Sequence, residues 1–228
     1  MIRHHVARAR RGWHRWVDSD HGLAALLFFL VLYGFIIYPL AGAQGKTDTL
    51  AAVAFSAVLV LGVMATTRHR GARLGMTALA GLAIASHWLH FFLRQQEIHI
   101  VAAAAAAVFL AALVWLITGR VFRGGGINVH RIYGAIAVYL ILGIMWGKLY
   151  VLIYLFEPAS FYFDPATQFG EHPISKLIYF SFTTLTTVGF GDIVPVHPMA
   201  RSLATLEALV GQLYPAVLLA RLVTLYQR

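Results

Sequence analysis

Residues 174–195 read ISKLIYFSFTTLTTVGFGDIVP, and this stretch decides the architecture. Its first half, Ile174–Thr184, is largely apolar and suits a short helix, whereas its second half is polar and carries two glycines. A bilayer core needs about twenty apolar residues to be crossed as a helix, so the stretch is too short and too polar to cross. It nevertheless lies between two long apolar segments. A short helix entering over Ile174–Thr184, followed by extended chain returning to the same side, satisfies both facts. Non-helical backbone at membrane depth is tolerated only where it is buried in protein or lines a water-filled cavity. The stretch therefore predicts a pore.

Thr186-Thr187-Val188-Gly189-Phe190-Gly191-Asp192 is its most informative part. Gly189 and Gly191 alternate with residues that carry side chains, and glycine readily takes left-handed dihedrals. Such alternation turns successive carbonyls toward one axis, whereas in an ordinary strand they alternate in direction. The carbonyls of Thr187, Val188, Gly189 and Phe190, with the Thr187 hydroxyl, can then stack as rings of oxygen that replace the water shell of a monovalent cation. Val188 and Phe190 are expected to point away from the axis as an apolar cuff. Asp192 follows at the mouth, where a ring of carboxylates concentrates cations. The C-terminal end of the short helix, partially negative, favours a cation beyond it. A glycine-rich turn in the broken helix of a transporter is the alternative, but it leaves the polar run Thr184–Thr187 unexplained. A phosphate loop is excluded because no GxxxxGK[ST] pattern is present.

Outward from this stretch, the 228 residues are 60% hydrophobic and 12% charged, against about 25% charged for a soluble domain. Apolar segments predict spans over Gly22–Leu40, Leu50–Thr67, Leu74–Leu93, Ile98–Thr118, Val129–Phe156 and Met199–Val223. The expected fold is thus an all-α integral membrane protein with six transmembrane helices and a re-entrant helix and loop between the last two. Three regions follow: a basic N-terminus over 1–21, a four-helix domain over 22–118 and a pore domain over 129–228. With an inside N-terminus, thirteen of the eighteen Lys and Arg fall in cytoplasmic termini and loops, including Arg68, Arg70, Arg73, Arg120, Arg123 and Arg131. This matches the positive-inside tendency and predicts a plasma-membrane protein with both termini cytoplasmic. Ala41-Gly42-Ala43 resembles a signal-peptidase site, but the basic leader and the apolar run before it are long for a signal sequence. The net charge of +9 is spread over short loops, which argues for orientation and against nucleic acid as a partner. Cysteine is absent, which removes disulfides and thiolate metal sites.

Thr184–Asp192 resembles the selectivity-filter signature of the potassium channel family, whose usual core is TVGYG, and the resemblance extends over Val129–Arg228. It implies a homotetramer that conducts potassium passively, with Thr187, Val188, Gly189 and Phe190 supplying the ion sites and Asp192 the pore mouth. The implied ion is permeant cargo, no cofactor is implied, and no enzymatic activity is expected. The departure is Phe190 in place of tyrosine, which removes a hydroxyl able to bond the pore helix. Four further upstream spans are similar to the six-span branch of the family.

Other residues carry narrower expectations. Gly211 and Pro215 lie four apart in the last span and mark a bend, either a gating hinge or a fixed kink that widens the cavity. Lys148 and Glu207 are intramembrane charges at ~12 Å depth from the same side, which predicts a pair within or between subunits. His87, His90 and His99 fall near one level and raise a membrane haem or redox protein as a reading from another class. Trp88 and Trp115 make interfacial anchoring the competing account. A non-conducting regulatory subunit that keeps the pore fold is a third. The span Ile98–Thr118 holds no arginine, so strong voltage gating is not expected. With Arg221–Arg228 following the last span, no ligand-binding domain is expected. The leader, with Trp13 and Trp16 beside Arg10, Arg11 and Arg15, suits anionic inner-leaflet lipids or a solvated anchor.

Overall fold

A computed structural model describes residues 21–37, 48–66, 70–93, 95–122, 129–165 and 173–226. The basic leader, the 41–43 site, Arg68, Arg94 and Arg123, and the expected span ends at Leu40 and Thr67 lie outside the described residues.

Helix α1 spans His21–Val31 and continues as one π-helical segment over Leu32–Ile37. Next come α2, Asp48–Thr66, then α3, Arg70–Leu93, and α4, Gln96–Val121. Helix α5 spans Val129–Phe156, with a 3-10 turn at Pro158–Ser160 and strand β1 at Phe161–Phe163. Helix α6, Pro173–Leu185, strand β2, Ile193–Pro195, and helix α7, Pro198–Tyr226, complete the described chain. Among the described residues four stretches are long and apolar enough to cross a membrane: Gly71–Leu93, Gln96–Val121, His130–Phe156 and Pro198–Arg221. Shorter apolar helices occupy Gly22–Ile37 and Thr49–Ala65. The chain is an all-α, multi-span integral membrane protein.

Side-chain size explains how the helices pack. Helix α4 lies against α3 and α5, and its alanine run buries Ala102, Ala103, Ala105, Ala106 and Ala107. Small side chains let backbones approach where lipid gives no hydrophobic drive to associate. Helix α5 uses glycine in the same way. A Cβ on Gly143 would lie 2.5 Å from the Phe182 ring, and one on Gly147 would lie 2.8 Å from Ile178 Cγ1. These two glycines, four apart and thus on one face, form the groove that receives α6. The π segment after α1 meets the same place, with the Phe35 and Phe182 rings 5.2 Å apart.

Helix α5 stops before Pro158, whose predecessor Glu157 takes extended dihedrals. Strands β1 and β2 pair antiparallel, Tyr162 opposite Val194, and Asp164 N donates to Asp192 O at 2.9 Å. The chain between them therefore leaves and returns to one end of α5. Helix α7 is tied to the same corner, because Arg201 Nε donates to Pro195 O at 3.0 Å.

Candidate functional site

Helix α6 ends at Leu185, and the loop that follows supplies the donors its last carbonyls lack. Thr186 N donates to Phe182 O at 3.0 Å and Thr187 N to Thr184 O at 2.9 Å, while Val188 N and Gly189 N share Thr183 O at 2.9 and 3.2 Å. A helix end leaves its last four carbonyls without intrahelical partners, so this run of loop amides acts as a cap. In a trans peptide the N–H and the preceding C=O point in opposite directions. Amides of residues 187–189 aimed at α6 thus direct the carbonyls of Thr186, Thr187 and Val188 away from it.

Left-handed dihedrals recur at every second residue of this loop: Thr187 has φ 59°, Gly189 53° and Gly191 82°. Two of these fall on the expected glycines. The third falls on a β-branched residue, where a positive φ is a genuine outlier costing about 1–3 kcal/mol and held only by its surroundings. The shared Thr183 carbonyl, which accepts from the two residues after Thr187, is that constraint.

Tyr179 on α6 braces the far end of the loop. Its ring lies parallel to Phe190 at 6.3 Å, with an interplanar angle of 1°, and its hydroxyl bonds the Asp192 carboxylate. Asp192 Oδ1 also accepts from Ile193 N at 3.1 Å. The sequence reading missed Tyr179, because no local pattern distinguishes it from other apolar positions of α6. In one protomer this apparatus is bare, with Val188 55% and Phe190 69% exposed.

Helix α7 runs unbroken through Gly211 and Pro215. Gly211 is pressed against the end of α6, where an added Cβ would lie 1.9 Å from Leu185 O. That carbonyl also accepts from Tyr139 Oη at 3.1 Å. Gly211 thus has a close-packing role that the hinge expectation did not include. Leu206, Leu209, Leu213 and Val217 of α7 are exposed in the protomer.

Within the chain Lys148 and Glu207 do not pair; the expected pair has only its form between subunits left open. Lys148 Nζ lies 4.7 Å from the centroid of the Phe55 ring on α2. Glu207, fully buried on α7, accepts from Tyr150 Oη at 2.5 Å, and its other oxygen lies 2.5 Å from Ser181 Oγ on α6. Lys148 and Tyr150 are two residues apart, about 200° around a helix, so they face opposite sides of α5.

The histidines divide. His90 and His99 stack with ring centroids 4.0 Å apart, and His90 Nδ1 lies 3.1 Å from Gln95 O. His87 instead sits against Phe55 at 5.6 Å. Among the described residues no three His, Asp or Glu side chains come together to hold a metal ion.

Residues 136–228 match a family described as an ion channel. Protein LctB of Bacillus caldotenax is 30% identical over 120 residues, covering 52% of this chain and 89% of that protein. The two pore potassium channel c of Oryza sativa subsp. japonica is 32% identical over 86 residues, 36% of this chain and 19% of its own length. The inward rectifier potassium channel Kirbac3.1 of Paramagnetospirillum magnetotacticum is 49% identical over 39 residues, 17% of this chain and 13% of its own length. No solved structure matches.

Proposed function

The chain belongs to the ion-channel family, and from that premise we propose that it is one subunit of a homotetrameric, potassium-selective pore. Its function is channel-like and not enzymatic. Four copies of the loop surround a central axis, with the carbonyls of Thr187, Val188, Gly189 and Phe190 and the Thr187 hydroxyl replacing the water shell of K+. Helix α6 and the loop form the re-entrant segment, Asp192 collects cations at the mouth, and the exposed face of α7 lines the cavity or meets neighbouring copies. Six crossings, a plasma-membrane location and cytoplasmic termini complete the proposal. So does the absence of strong voltage gating, because α4 has no arginine among its membrane-core residues. The region of Gly211 and Pro215 is the candidate bend for gating, and anionic lipids are the proposed contact of the basic leader.

One observation carries the reading: positive φ at residues 187, 189 and 191, in a loop whose amides are bonded back to α6. An extended apolar loop left bare in the protomer calls for further copies around it. Reversal potentials of the purified, reconstituted protein in K+, Na+ and Rb+ gradients test it, with K+ and Rb+ expected to permeate far better than Na+. Equal Na+ and K+ permeability, or a protein recovered only as monomers or dimers after gentle extraction, overturns it.

A further inference from the structure

Behind the loop runs a line of oxygen atoms that the conduction reading does not use. Tyr150 Oη lies 2.5 Å from Glu207 Oε2, Glu207 Oε1 lies 2.5 Å from Ser181 Oγ, and Ser181 Oγ lies 2.6 Å from Gly143 O. Each contact is a full O–H···O distance and needs its own proton. The Tyr150 and Ser181 hydroxyls bring one each, and the Gly143 carbonyl brings none. An ionised Glu207 also brings none, so three bonds would share two protons. One close oxygen pair would then be left with nothing between its members.

We infer that Glu207 is held as a neutral carboxylic acid and is a positioning residue that fastens α5 and α7 to α6 behind the loop. Glu207 Oε1–H donates to Ser181 Oγ, Ser181 Oγ–H donates to Gly143 O, and Tyr150 Oη–H donates to Glu207 Oε2. Every oxygen in the line is then satisfied. The surroundings agree, since a buried carboxylate is retained in charged form only when a cation or several donors compensate it. Lys148 of α5 is turned to Phe55, and Lys176 of α6 lies over Phe163. On α7, Arg201 bonds Pro195 O and Tyr214 bonds Ala135 O. The titratable groups that do face Glu207 are Tyr150 and Tyr139 of α5. Tyr179 of α6 is committed to Asp192.

The location gives the proton a consequence. Ser181 lies one turn before Leu185, where α6 ends and its loop cap begins, and Glu207 lies one turn before Gly211, which packs on Leu185. Removing the proton leaves the Ser181 hydroxyl to donate either to Glu207 or to Gly143 O and not to both, so the line loses its tie from α6 to α7 or its tie from α6 to α5.

The current measurement rests on the channel reading, so a second readout does not. Infrared difference spectra of the full-length protein, wild type minus E207Q, are expected to show the carbonyl stretch of a protonated carboxyl at neutral pH. In bilayers, E207Q is expected to keep near-wild-type K+ current and a flat pH profile, because its amide can donate to Ser181 and accept from Tyr150. Wild type loses current reversibly as pH rises, and E207A loses most of it at every pH. No protonated-carboxyl band at neutral pH overturns the inference, as does E207Q being as impaired as E207A. Identical pH profiles for wild type and E207Q overturn it as well. If E207Q does not assemble, S181A must shift the wild-type band, and an unshifted band overturns it. Absence of K+ current in wild type would count against the channel reading alone.

Discussion

An added Cβ on Gly211 would lie 1.9 Å from the carbonyl oxygen of Leu185 and 3.1 Å from its Cα. Backbone atoms cannot rotate away as the tip of a side chain can. If Gly211 served only as a flexible joint, alanine there would stiffen α7 and gain about 1 kcal/mol of helix propensity. Close packing reverses the sign, since forcing a methyl into a filled contact costs about 1–3 kcal/mol. Gly211→Ala is therefore expected to lower the thermal stability of the assembled protein, measured by retention of the oligomer on heating in detergent. Unchanged or raised stability with altered open probability would return Gly211 to the role of a hinge.

Gly189 has φ 53° with open space around its missing Cβ within the protomer, so there alanine is penalised by the backbone. The left-handed region costs an L-residue roughly 1–2 kcal/mol. Gly189→Ala is expected to abolish or strongly reduce K+ current while the protein still assembles. Normal selective current from that variant would sink the assignment of the ion path. Asn, which tolerates the left-handed region better, gives the intermediate case.

Lys148 and Phe55 are a cation and a ring 4.7 Å apart, and an arrangement of this kind contributes about 0.5–2 kcal/mol. A double-mutant cycle of Lys148→Met with Phe55→Leu, read by thermal or denaturant stability, is expected to show coupling of that order. The cycle of Lys148→Met with Glu207→Gln is expected to be additive to within about 0.5 kcal/mol, since the two side chains share no partner. Coupling confined to the Lys148 and Glu207 cycle would restore the charge pair.

These contrasts show which physical information a sequence carries. The loop 186–192 was legible because its chemistry is backbone chemistry: alternate glycines permit alternate left-handed dihedrals, and few other uses of such a pattern fit between two spans. The positive φ at Thr187 was not legible, because it is imposed by two amides competing for the Thr183 carbonyl and not by the residue's own preference. The contacts Glu207 makes within the chain were not legible for a different reason. Residue counting fixes depth along a helix axis, but contact also depends on the angle around it, and neighbouring buried positions of α5 face different helices. The groove on α5 lay in plain view as Gly143 and Gly147, a spacing whose meaning is close helix approach.

That groove supports a prediction with an internal control. The three atoms nearest a Cβ on Gly143 all belong to the Phe182 ring, at 2.5–2.8 Å, whereas a Cβ on Gly147 meets Ile178 Cγ1 at 2.8 Å and its backbone Cα at 3.1 Å. Each alanine variant is expected to lose about 1–3 kcal/mol of stability, less any gain in helix propensity. The ring can be shortened, so Phe182→Leu is expected to recover much of the loss from Gly143→Ala. Trimming Ile178 to alanine leaves its Cα in place and is expected to recover less of the loss from Gly147→Ala. Unfolding in detergent of the four single and two double variants checks this. Equal recovery at the two positions would mean that α6 slides as a unit and is not held by these contacts, and the position of the loop would then have to be set by Tyr179 and the β1–β2 corner.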